Sequence, residues 1–202
     1  MKESPTLMSR DRLEAFSDGV FAFVLTLLFL RLTAPQIVDH STLSQYAVLM
    51  APLIPKVVSF VLTFAMICIH WVNHHYFFSH IRRTTIELVW LNNLILLWIC
   101  FLPFPASILG DHPTDQFPIL LFALNSLLLA LTFYAIRSYA DHAKLFEAKD
   151  ARALGPRHSI PAIALYGLSI FLVFVNVYLS WASFLAVPVL YFVPNLIQGH
   201  NQ

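Results

Sequence analysis

The stretch "IHWVNHHYFFSHIRR" holds His70, His74 and His75 in an H-x-x-x-H-H spacing. Imidazoles at i and i+4 share a helix face and can ligate a metal. A di-iron membrane enzyme needs several such boxes to fill both metal positions. Here His40, His80, His112, His142, His158 and His200 are scattered singly along the chain. One box cannot build that site, so a catalytic metal is disfavoured, and no metal, cofactor or enzymatic activity is expected. A second chemistry is proton transfer. Ser17 and Asp18 open the apolar stretch "EAFSDGVFAFVLTLLFLRL", and an ionisable group at membrane depth is costly unless it is paired or functional. Asp18 with His74 and His75 is therefore a candidate proton relay in a coupled transporter. The less costly alternative is a His–Asp or Arg–Asp hydrogen-bond network, with Arg12 or the histidines as partners.

The elements that must position these groups are apolar helices. Of the 202 residues, 58% are hydrophobic and only 11% charged, with a formal net charge of +1. Mean hydropathy is +0.72. Average globular chains carry about 25% charged residues, so the reading is an all-α integral membrane protein embedded in a lipid bilayer. Sparse charge leaves no nucleic-acid footprint. Cys68 and Cys100 lie inside apolar segments and read as buried hydrophobes, not as a disulfide framework. There is no Gly-rich phosphate loop. The basic start and apolar core resemble a signal peptide, but Asp18 interrupts the core and no cleavage site follows, so this segment reads as the first retained helix.

Six helices are expected, over residues 12–32, 42–80, 86–109, 115–143, 159–178 and 181–197, in a single domain covering 1–202. The last is interrupted by Pro188 and Pro194. Lys2, Arg10 and Arg12 precede the first helix, and Arg82 and Arg83 follow the second. Arg137, Lys144, Lys149, Arg152 and Arg157 surround the loop between the fourth and fifth. Six spans put all three groups on one side, so both termini are expected in the cytoplasm. The opposite loops carry Asp39, His40, Asp111, His112 and Asp115. Lys56 falls inside the second helix, which is longer than a bilayer needs. It is expected in an outer extension or snorkelling to the interface.

The run Val20–Leu30 is about 11 residues, or roughly 17 Å, too short to span alone. The first helix must therefore draw Ser17 and Asp18 towards the membrane. Phe16, Phe23, Leu27 and Leu30 form one stripe on it, with Val20 adjoining and Thr26 on an adjacent edge. Periodicity alone favours packing of this stripe against a neighbouring helix. The other reading is a pore wall, since bulky apolar rings gate by dewetting.

"RLEAFSDGVFA" contains R-x-x-x-F-S-D as Arg12, Phe16, Ser17 and Asp18. With "WVNHHYFF" and "LNNLILLWICFLPFPASIL", it resembles the bacterial branch of the transmembrane protein 175 family of potassium channels. The resemblance implies a cation channel that favours potassium and lacks a Thr-Val-Gly-Tyr-Gly filter. Animal members carry two six-helix repeats; bacterial members carry one and assemble as homotetramers, and this chain shows no second motif. It further implies that helix 1 lines a central pore, with the constriction at Phe23, Leu27 and Leu30. Thr26 falls at a position associated with selectivity. Arg12, Phe16, Ser17 and Asp18 would form a structural hydrogen-bond network with the His74 and His75 region. Phe23 departs from the usual Ile or Leu. The expectation is passive potassium conduction through a hydrophobic constriction in a bacterial inner membrane, with potassium and other monovalent cations as permeant ions.

Overall fold

The computed structural model describes residues 9–34, 42–146 and 154–198, with side chains through residue 190. Lys2, Asp39, His40, Lys149, Arg152 and His200, used above for orientation or for the histidine pattern, lie outside the described residues. The described residues are helical, with no strand. In chain order the helices are α1 (Arg10–Phe29), α2 (Leu43–Met50), α3 (Ile54–Ser79), α4 (Ile86–Phe101), α5 (Pro103–Asp111), α6 (Gln116–His142), α7 (Ile160–Leu172) and α8 (Val177–Gln198).

Local chemistry sets the boundaries. Ser9 caps α1 by accepting from the Arg12 N–H, and Asp11 places a carboxylate at the positive end of the helix dipole. Thr42 and Gln45 form a capping box at the start of α2. A single 3₁₀ turn at Ala51–Leu53, where Pro52 sits, joins α2 to α3. Together they form a 37-residue apolar span, Leu43–Ser79. Pro103 has no N–H to give the Ile99 carbonyl, and Leu102 N–H turns to it instead at 3.2 Å. This frees the Trp98 carbonyl, which accepts from Asn125 Nδ2 at 3.2 Å. The break between α4 and α5 is thus satisfied by a side chain of α6.

At the end of α6, Lys144 adopts a positive φ of 52°. Leu145 N–H reaches the Ala140 carbonyl at 2.9 Å and Lys144 N–H the Asp141 carbonyl at 3.1 Å. This is a Schellman cap with lysine where glycine is usual. The fifth expected segment stops early, at Leu172. Asn176 Oδ1 accepts from the N–H groups of Tyr178 at 2.8 Å and Leu179 at 3.3 Å, starting α8 there.

Helix α6 occupies the centre. It packs against α4 and α5 on one side and α7 and α8 on the other, while α1 lies at the edge against α3 and α4. Among the described residues, three helical spans are long and apolar enough to cross a membrane: 43–79, 86–111 and 116–142. Many large apolar side chains point outward, including Trp90, Phe117, Phe171 and Tyr178. That surface suits hydrocarbon, not water.

Candidate functional site

The inward face of α1 is Leu13, Ser17, Phe21, Val24 and Leu28, all buried. The stripe expected to pack on a neighbour turns the other way. Phe16 is 56% exposed, Phe23 62%, Leu27 37% and Leu30 70%. Within the subunit this corrects the packing favoured by periodicity: a membrane helix is apolar on both sides, so the period finds a stripe but not its direction. The buried Ser17 gives the direction, because a polar group inside a bundle has partners that lipid cannot supply.

Those partners are Asn92 and His74. Ser17 Oγ–H donates to its own helix at the Leu13 carbonyl, 2.9 Å away. Asn92 Nδ2 donates to Ser17 Oγ at 3.0 Å, which leaves Asn92 Oδ1 to accept from His74 Nε2 at 2.7 Å. Ser17, His74 and Asn92 are each 0% exposed. The His74 ring stacks on Phe78 at 4.4 Å and tilts against Phe21 at 5.5 Å. Among the described residues, its Nδ1 has no hydrogen-bond partner. Three helices, α1, α3 and α4, therefore meet at one buried polar node.

A second set of contacts clasps α1 to α3. Trp71 Nε1–H donates to Asp18 Oδ1 at 2.8 Å. His75 Nδ1 lies 2.7 Å from Glu14 Oε1. Trp71 and His75 stack on each other, with ring centroids 6.0 Å apart. Glu14 and Asp18 are four apart on α1, as are Trp71 and His75 on α3, so the four side chains form a two-rung ladder. A third contact lies at the edge: Arg10 Nη1 donates to the carbonyls of Ser79 at 3.1 Å and Ile81 at 3.5 Å, near the end of α3.

The R-x-x-x-F-S-D residues thus separate. Ser17 enters the buried node and Asp18 the ladder. Phe16 faces outward. Arg12 is exposed, and among the described residues its side chain shows no hydrogen bond or ion pair. The three histidines of the H-x-x-x-H-H box also diverge. His70 stacks on Phe133 of α6 at 5.4 Å, His74 bonds Asn92 of α4, and His75 meets Glu14 of α1. No group of three metal-ligating side chains occurs among the described residues. Asn92 reads from the sequence, with Asn93, as polar glue between helices with no partner assigned; Trp71, Glu14 and Arg10 are not singled out there as members of the site. The matched four-residue spacings of Glu14/Asp18 and Trp71/His75 were the available signal.

On the outward face, Thr26 Oγ1–H donates to the Phe23 carbonyl at 2.7 Å. Its proton is committed to the helix, so the exposed hydroxyl presents only lone pairs outward, which suits a cation. Away from α1, a small cavity between α3, α6, α7 and α8 is lined by residues that include His70, Arg137, His158 and Tyr166. The inner side of His158 is covered there. That burial, and secondarily the Arg137 charge, lower its pKa from the ordinary histidine value.

Residues 12–103 match the family model described as endosomal/lysosomal potassium channel TMEM175. A potassium channel of Chamaesiphon minutus is 34% identical over 191 residues, covering 89% of this chain and 92% of the relative. One from Streptomyces collinus is 31% identical over 186 residues, covering 85% and 86%. The human endosomal/lysosomal proton channel TMEM175 is 32% identical over 117 residues, 54% of this chain and 23% of that protein. Among solved structures, the lysosomal potassium-selective channel TMEM175 homolog from Chamaesiphon minutus superposes with a TM-score of 0.76 at 29% identity. It covers 92% of this chain and 97% of that one.

Proposed function

Since the chain belongs to the TMEM175 family of potassium channels, we propose that it conducts potassium passively along the outward face of α1. It is a multi-pass helical membrane protein and a potassium-permeable channel; the family consists of channels, not enzymes. The observation that carries the reading of the path is the direction of α1. Its polar residues Ser17 and Asp18 are fixed to α3 and α4, while Phe23, Leu27 and Leu30 face out of the subunit. A subunit offers only one such face, too little to enclose a water-filled path. Four copies around a central axis would enclose it, so the working assembly is a homotetramer of six-helix subunits.

In that arrangement Leu27 and Leu30 form the narrow point, and Phe23 adds a ring towards the Asp18 end. The gate is hydrophobic: an apolar ring of this kind passes ions only when it is wide enough to stay wet. Thr26 places an acceptor oxygen beside the path. Asp18, held by Trp71, acts structurally and does not coordinate permeant ions. The bacterial relatives favour a bacterial inner membrane, and the distribution of basic residues favours both termini in the cytoplasm.

Purified protein in liposomes tests this directly. Potassium efflux down its own gradient, with no proton gradient and at rates beyond a carrier, is the expected result. Efflux that requires counter-movement of protons would favour the transporter reading. That reading has less geometric support here, because Asp18 is committed to Trp71 and His75 to Glu14.

A further inference from the structure

Lys56 is unusual, a lysine just inside the long second span. Its Nζ lies 2.7 Å from Asp111 Oδ1, at the last residue of α5. The two helices can approach because residue 110 is glycine: a Cβ there would lie 3.1 Å from the Lys56 Cα. Ser59 Oγ–H donates to the Ala106 carbonyl at 2.7 Å one turn further in, so α3 and α5 are fastened at this level. A small cleft opens beside the pair, and Arg31, immediately after Leu30, lines it together with Leu28, Lys56 and Asp111.

Arg31 sits at the end of α1 opposite Ser17 and Asp18. If α1 lines a fourfold path, four guanidinium groups surround one mouth of it, and a ring of fixed positive charge repels entering cations. Something must offset that ring in a channel that passes potassium. Asp111 is the carboxylate in the cleft. One oxygen takes Lys56; Arg31 lines the same cleft without forming an ion pair with Asp111 in this structure, and the second carboxylate oxygen is the acceptor within the cleft that its donors can take.

We propose that Asp111, held in place by Lys56, is the counter-charge that draws Arg31 into the cleft and keeps this mouth open to cations. Asp111 is then a conductance-determining residue, and Lys56 positions it. The proposal rests on the reading of α1 as the pore wall.

The test is potassium flux in proteoliposomes at about 10 mM and about 1 M potassium chloride, where screening lengths are roughly 30 Å and 3 Å. Asp111→Asn is expected to cut flux about threefold at low salt and leave it unchanged at high salt, a field effect on cation entry. Arg31→Gln is expected to raise low-salt flux, and the double substitution to restore it. Unchanged low-salt flux in Asp111→Asn overturns the proposal, as does a loss equal at both salts or a loss that Arg31→Gln does not relieve. Should Asp111→Asn fail to assemble, Arg31→Gln decides: no rise at low salt overturns it. Leu27→Ala is run alongside. If that variant conducts like the wild type, it is the pore-wall reading that fails, and the proposal with it; if only the Asp111 and Arg31 variants fall short, the pore-wall reading stands alone.

Discussion

Trp71 of α3 donates its indole N–H to Asp18 of α1 at 2.8 Å, one rung above the Glu14–His75 contact. Two rungs on one side of a helix resist rotation as well as separation. With Ser17 buried against Asn92, they fix which face of α1 turns outward. The polar residues at the start of the helix therefore determine what its apolar remainder presents.

The buried node is the costliest part of that arrangement to disturb. Asn92→Ala removes one acceptor and one donor at once: His74 Nε2 loses its acceptor, and Ser17 Oγ loses the Asn92 donor while still donating to the Leu13 carbonyl, both at 0% exposure. An orphaned buried group costs about 1–3 kcal/mol. The expected result is a loss of about 3 kcal/mol, read as a lower midpoint of thermal unfolding in detergent.

The ladder is more accessible to solvent and should respond less. Trp71→Phe keeps most of the ring but removes the donor to Asp18. A loss of about 1 kcal/mol is expected. Asp18→Asn keeps an acceptor oxygen for Trp71 and should cost less than Trp71→Phe. Thermal melts of the two variants side by side check the order; the reverse order would mean that the Asp18 charge, not its hydrogen bond, carries the contact.

Lys144 offers a change of opposite sign. At φ 52° a lysine pays for its Cβ, and glycine would not. Lys144→Gly should stabilise by about 0.5–1 kcal/mol, while Lys144→Ala, which keeps the Cβ, should not. The comparison is again by thermal unfolding.

Thr26→Val preserves shape and removes the hydroxyl that faces outward. Its hydrogen bond is to its own helix, so stability should shift by less than about 0.5 kcal/mol. A fall in the potassium-to-sodium permeability ratio, measured by reversal potential, is expected without loss of folding. An unchanged ratio would remove Thr26 from the path.

Much of this fold was readable in the sequence, for reasons that can be named. Long apolar blocks with polar punctuation mark the helices; the caps Ser9, Thr42 and Thr85 are of the residue types that helix starts favour, but only the structure identifies them. What was not readable depends on partners far apart in the chain. Asn92 and Asn93 are adjacent and identical, and only tertiary packing makes the first the hub of the node. The H-x-x-x-H-H box looks convergent in one dimension, yet its rings point to α6, α4 and α1. Leu13, Phe21, Val24 and Leu28 are as apolar as Phe16, Phe23, Leu27 and Leu30, so hydropathy could not say which face is inward. Lys56 had no visible partner because Asp111 lies in another helix.

Passage of potassium along the outward face of α1 can be probed with a single thiol. Leu27→Cys, in a background with Cys68→Ser and Cys100→Ser, puts one thiol on that face. Treatment with a positively charged methanethiosulfonate reagent should then abolish most of the potassium flux in proteoliposomes, with the Leu27-wild-type background unaffected. Complete modification verified by mass, with flux unchanged, would mean that potassium does not pass along this face.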